Sequence, residues 1–199
     1  MGQENKNNSA QKARSGSNAV RMIAALLAVG VLSGAVLVLV YKYATPKIEM
    51  NIQGEMKRAI EDIFPDAVKI EDAKDEKIFR IKDAGGKLLG YAFIAEGNGY
   101  QGTIKLMAGM DPGLSTLMGF DVLESQETPG LGAEICGKEF RGQFKGLSIT
   151  HPIEYVKNKK PGKPYEIQAI TGATISSRSV VSILNGEIEE VRKVLKGGK

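Results

Sequence analysis

Residues 87–123 read KLLGYAFIAEGNGYQGTIKLMAGMDPGLSTLMGFDVL, and this stretch decides the fold. Lys87–Glu96 is apolar enough to lie centrally in a sheet. Gly97-Asn98-Gly99 marks a turn, Thr103–Met110 a second strand, and Leu114–Leu123 a third beyond Asp111-Pro112-Gly113. Upstream, Lys77–Lys82 precedes the turn Asp83-Ala84-Gly85-Gly86 and reads as one more strand. Consecutive hairpins imply an antiparallel sheet. Tyr165–Ile170 reads as a final strand.

Helical patterns flank this run. Ile48, Ile52, Met56, Ile60 and Ile63 recur at helical spacing over 47–63, and Pro65 ends that helix. Ile135–Phe144 reads as a short helix. From Ser176 to Leu195, Val180, Leu184, Glu187, Val191 and Leu195 step by three and four, with Val181, Ile183, Ile188 and Val194 widening the apolar stripe. Helices and sheet are segregated along the chain, so the expected class is α+β. Lys157–Pro164 (KNKKPGKP) reads as a solvated basic loop.

Met22–Val40 is 19 residues without a charge, bounded by Arg21 and Lys42. At ~1.5 Å per residue it spans roughly 29 Å, close to the thickness of a bilayer's hydrocarbon core. A secretory signal is the competing reading. The run is long for one, and Tyr41–Pro46 lacks a small-x-small cleavage site. Lys12, Arg14 and Arg21 precede the helix and favour a cytoplasmic N-terminus. The expected layout is a cytoplasmic tail over 1–21, a transmembrane helix over 22–41 and an extracytoplasmic domain over 48–196. Tyr41 and Tyr43 are expected at the outer interface. Residues 2–18, rich in Asn, Gln, Ser and charge, are expected to be disordered.

The net charge of +4 is uneven. Met1–Lys47 holds six basic residues against Glu4, leaving the rest at net −1. The globular part therefore offers no electrostatic case for nucleic acid. One cysteine, Cys136, excludes an internal disulfide or a multi-cysteine metal site. One histidine, His151, has no metal-ligand spacing around it, and no metal site is expected.

Two short motifs stand out. Thr171-Gly172-Ala173-Thr174-Ile175-Ser176-Ser177 lies directly before the C-terminal helix. The free N–H groups and dipole of a helix start attract phosphate, and Gly172 permits a sharp turn. On physics alone, however, a hydroxyl-rich helix start is an N-cap. Glu127-Thr128-Pro129-Gly130-Leu131-Gly132-Ala133 combines a stiffening proline with glycines that allow close backbone approach. It lacks the Gly-Lys-Ser/Thr of a phosphate loop and the strand–helix context of a dinucleotide fingerprint.

Taken together, ETPGLGA and, about forty residues on, ITGATISS before an amphipathic helix resemble the FMN-binding domain family. Within it, the chain is similar to the G subunits of Rnf-type ion-translocating electron-transport complexes and to the related C subunits of sodium-pumping NADH:quinone reductases. The resemblance runs from the membrane helix to about Leu195. It implies FMN attached by a phosphoester to Thr174, with Thr171, Gly172, Ala173, Ser176 and Ser177 around the phosphate. Glu127, Thr128, Gly130, Leu131 and Gly132 are implied to lie close to the flavin. It also implies a flavin transferase for maturation, other membrane subunits as partners, and a flavin domain outside the cytoplasmic membrane. Gln168 stands where the family usually carries an acidic residue, and Glu166 is the nearest acidic side chain. Electron carriage without independent turnover is the implied function, and no residue is expected to be catalytic. The alternative is a membrane-anchored ligand-binding or sensor module in which both motifs are only turns and caps.

Overall fold

The computed structural model describes residues 3–73, 75 and 77–197; of these, 3–20, 24 and 44–53 are described by backbone alone. The chain divides into two units, Met1–Asn51 and Ile52–Lys199.

The first unit is helical. It belongs to α1 (Gln3–Ile63), a single helix that continues through Thr45-Pro46. Arg21–Tyr43 forms a span of mean hydropathy 2.8 with none of it buried. Its 23 residues measure roughly 35 Å at ~1.5 Å each, long and apolar enough to cross a membrane. Residues 3–18 are helical rather than disordered as their composition suggests. Once a long apolar helix is nucleated, each added residue needs only propagation, so polar residues extend it.

The second unit is layered. Its six-stranded antiparallel sheet has the order β1-β2-β3-β4-β5-β6. The strands are β1 (Lys69–Asp72), β2 (Ile78–Lys82), β3 (Leu88–Asn98), β4 (Thr103–Met110), β5 (Thr116–Ser125) and β6 (Leu147–Ser148). Alternation puts successive side chains on opposite faces. Ile81, Ala92 and Met107 face one side and pack on Ala59, Ile60, Ile63 and Phe64 from the end of α1 and just beyond. Phe93, Ala95, Ile104, Leu106 and Ala108 face the other side. They meet Val180, Val181, Leu184, Ile188 and Val191 of α3 (Thr174–Lys196).

The same core takes in a 3-10 helix (Gly132–Cys136) and α2 (Lys138–Gly142), where one helix was expected over 135–144. Gly137, extended at φ −68° and ψ 143°, separates the two. Phe120 of β5, Phe140 of α2 and Phe144 lock edge to face, with Phe120 and Phe144 centroids 4.8 Å apart.

The expected strand over 165–170 shortens to β8 (Glu166–Gln168). It pairs in parallel with β7 (Glu154–Val156), forming a second, two-stranded sheet. Asn185 of α3 locks this region, accepting from the Ile153 amide at 2.8 Å and donating to the Ile153 carbonyl at 2.9 Å. Arg192, also on α3, donates to the carbonyls of Leu114 (2.8 Å) and Ile149 (2.5 Å). These bonds fix the middle and end of the long helix to the connections beside β5, β6 and β7.

Candidate functional site

Each motif folds into a tight turn with glycine at the third position. In Thr128-Pro129-Gly130-Leu131 the Leu131 amide donates to the Thr128 carbonyl at 3.2 Å, and Gly130 sits at φ +73°. In Ile170-Thr171-Gly172-Ala173 the Ala173 amide donates to the Ile170 carbonyl at 3.1 Å, and Gly172 sits at φ +85°. Positive φ at this position marks a type II turn and favours glycine. The two turns meet: the Leu131 side chain lies over Gly172, where a Cβ would be 3.6 Å from Leu131 Cδ2.

Glu127, at the start of the first motif, is 6% exposed. Its Oε1 accepts the amides of Tyr100 (2.6 Å) and Gln101 (3.1 Å). Its Oε2 accepts the Ser176 hydroxyl at 2.5 Å. The carboxylate thus joins the β3–β4 turn, the ETPGLG loop and the first turn of α3. The motifs mark Glu127 and Ser176 but not Tyr100 and Gln101, whose backbone amides lie 27 and 26 residues from the carboxylate. No periodicity or motif links a side chain to amides at that separation.

Three clustered hydroxyls have different fates. Ser176 is 3% exposed and spent on Glu127. Ser177 is fully buried; its hydroxyl donates to the Ala173 carbonyl and accepts the Ile170 amide, both at 3.0 Å. Thr174 is half-buried, and its hydroxyl makes no hydrogen bond among the described residues. Gly130, Thr171 and Gly172 are exposed, Gly132 and Ala173 are buried, and Thr128 is half-buried. Two large apolar side chains remain open to solvent here, Leu131 at 51% and Ile175 at 45%.

α3 begins at Ala173 with no side-chain cap and no acidic residue in its first turn. Helix-start amides without a side-chain cap among the described residues can meet a phosphate ester. A cleft of 540 Å³ adjoins the same turn, lined by Phe140, Gln143, Gln168, Ile170 and Thr171 among others. Gln143 closes its base by pairing with the Gln168 backbone, accepting from N at 2.7 Å and donating to O at 3.2 Å. Glu166 does not face Thr174's hydroxyl as a partner. It accepts the Gly162 amide at 2.9 Å and pairs with Lys163 at 3.2 Å.

No base among the described residues addresses Thr174. His151 stacks on Tyr165 with centroids 5.1 Å apart. Cys136 is exposed as a residue, while partial burial of its thiol, with Asp121 and Glu134, pushes its pKa up against the pull of Arg141. It is therefore no ready thiolate.

Helix, sheet and helix are layered, and two glycine turns meet beside the start of α3. The family model described as FMN-binding domain matches residues 99–189, which hold both turns. The chain is 31% identical to the G subunit of the ion-translocating oxidoreductase complex of Methanosarcina acetivorans, across 86% of this chain and 93% of that one. It is 33% identical to the G subunit of the proton-translocating ferredoxin:NAD(+) oxidoreductase complex of Clostridium ljungdahlii, across 84% and 88%. The chain belongs to the family of G subunits of ion-translocating oxidoreductase complexes. In fold it is similar to the NqrC crystal structure from Shewanella oneidensis, with a TM-score of 0.54 at 22% identity over 63% of this chain and 67% of that one. It is also similar to the C subunit of the Na(+)-translocating NADH-quinone reductase of Parabacteroides distasonis, with a TM-score of 0.53 at 29% identity over 59% and 61%.

Proposed function

We propose that this chain is an electron-carrying subunit of a membrane ion-translocating oxidoreductase, with FMN held covalently through its phosphate on Thr174. The observation that carries the attachment is the contrast among the three hydroxyls. Ser176 and Ser177 are buried and hydrogen-bonded, whereas Thr174 stands half-buried and without a hydrogen-bond partner among the described residues, at a helix start with no side-chain cap.

A threonine hydroxyl is a poor nucleophile without a base, and nothing in the described residues supplies one. The base and the activated flavin therefore come from a separate flavin transferase using FAD and Mg²⁺. The Thr174 oxygen–phosphorus bond forms as the phosphoanhydride of FAD breaks. AMP leaves, and the hydroxyl proton passes to the transferase. No electrons change hands in this step. Bound FMN supplies the redox chemistry, and the chain supplies position and polarity.

The amides opening α3 would hold the phosphate, and exposed Leu131 and Ile175 offer apolar surface to the ring system. A ring left partly open to solvent suits exchange with cofactors in neighbouring membrane subunits. The Arg21–Tyr43 span anchors the chain, with the N-terminal tail in the cytoplasm and the flavin domain outside. A single-pass anchor of this kind keeps the carrier beside its partners in the membrane.

Denaturing electrophoresis of the chain co-produced with a flavin transferase tests the reading. Yellow-green fluorescence should remain in the protein band, vanish in Thr174→Ala and return in Thr174→Ser, which keeps a hydroxyl. Fluorescence retained in Thr174→Ala would place the attachment elsewhere.

A further inference from the structure

Resting on the reading of Thr174 as the flavin acceptor, we propose that Glu127 is the positioning residue of that acceptor, acting through Ser176 on the first turn of α3. Both carboxylate oxygens are committed, one to the amides of Tyr100 and Gln101 and the other to the Ser176 hydroxyl. The fit is close on two sides. A Cβ at Gly99 would run into Oε1, and one at Gly132 would run into Oε2 and lie 2.7 Å from Ser176 Oγ. Glycine at both positions lets two backbones close on one carboxylate.

The consequence for Thr174 follows from helix geometry. Residues advance ~100° each around an α-helix, so Thr174 lies roughly 200° from Ser176. Fully buried Ser177 lies only roughly 60° from Thr174, so pinning Ser176 fixes the rotation that leaves Thr174 half-buried at the edge of the inward face. Ser177 adds a second restraint by bonding back to Ile170 and Ala173. A carboxylate makes this pin directional, because its two oxygens must meet donors on separate segments. An aliphatic side chain could fill the volume without fixing the rotation of the helix start.

Ser176 lies two residues from the acceptor, yet its proton is donated to Glu127 and its oxygen is buried. Burial, rather than the hydrogen bond, keeps this nearest rival hydroxyl from an incoming flavin, while the bond to Glu127 fixes the turn that carries Thr174.

The test measures flavin transfer to the full-length chain in membranes, with FAD, Mg²⁺ and limiting flavin transferase. Initial rates are followed over a range of acceptor concentrations. Glu127→Ala and Ser176→Ala should lower kcat for transfer on the order of tenfold, with KM for the acceptor nearly unchanged. Glu127→Gln should restore most of the rate, because one amide oxygen still accepts both backbone N–H groups and the amide nitrogen reaches Ser176. Thermal melting reports the fold separately. Ser176→Ala removes one hydroxyl only, so it remains informative if Glu127→Ala does not fold. Wild-type kcat in Ser176→Ala would overturn the positioning role while leaving Thr174 as acceptor. An unlabelled wild-type chain would overturn the parent reading instead.

Discussion

The start of α3 holds three hydroxyls in different settings within four residues, two buried and one half-buried. Ser176 and Ser177 tie the helix start to Glu127, Ala173 and Ile170, whereas Thr174 takes no partner among the described residues. Asp111 shows the same economy in a purely structural role. Its carboxylate accepts the amides of Gly113, Ser115 and Thr116 and the Ser115 hydroxyl, closing the β4–β5 hairpin around Leu114 at φ +57°. Burial alone would raise its pKa, but the three amides and the hydroxyl outweigh it and hold the group below its usual 3.8. A carboxyl depressed on folding contributes stability above its unfolded pKa and loses it as pH falls through the lower folded value. Between about pH 5 and pH 2 the melting temperature of the wild type should therefore fall more steeply than that of Asp111→Asn. Parallel melting curves would show that the carboxylate adds nothing in the folded state.

Helix α3 is the element on which the site depends. Its stripe of Val180, Leu184, Ile188 and Val191 was legible from spacing, because 3.6-residue periodicity survives wherever one helix face is buried. The central strands were legible for the matching reason, as β3 and β4 alternate between two packed faces. Short β1, β6 and β7 were not. β1 is exposed at all four positions and carries no alternation, and β6 has two residues. Leu114–Leu123 slipped to Thr116–Ser125 because Asp111 extends the turn by side-chain bonds that hydropathy does not register. The two motifs were legible as segments, but their junction through Glu127, Tyr100 and Gln101 was not, since it joins backbone amides that any residue could offer. Fully buried Leu184 gives the element its test. Leu184→Ala should cost about 2–5 kcal/mol of stability, read by denaturant unfolding, because the cavity lies between helix and sheet. A loss well under ~1 kcal/mol would mean that the helix is not held by this core.

The whole chain combines an apolar span, Arg21–Tyr43, with a domain on which we propose Thr174 as the flavin acceptor. The arrangement suits a carrier whose cofactor cannot diffuse away and whose neighbours are fixed in the same membrane. Sidedness has a native probe, because Cys136 is the single cysteine and is exposed. With the domain outside the cytoplasmic membrane, a membrane-impermeant maleimide should label it in intact cells at mildly alkaline pH; labelling only after lysis would put the domain inside. The most direct test of the account is peptide mass spectrometry of the tryptic fragment ending at Arg178, from chain made with a competent flavin transferase. The account predicts a fragment heavier by one FMN less water, with fragmentation placing the addition on Thr174. An unmodified fragment, or an addition on Ser176 or Ser177, would contradict it.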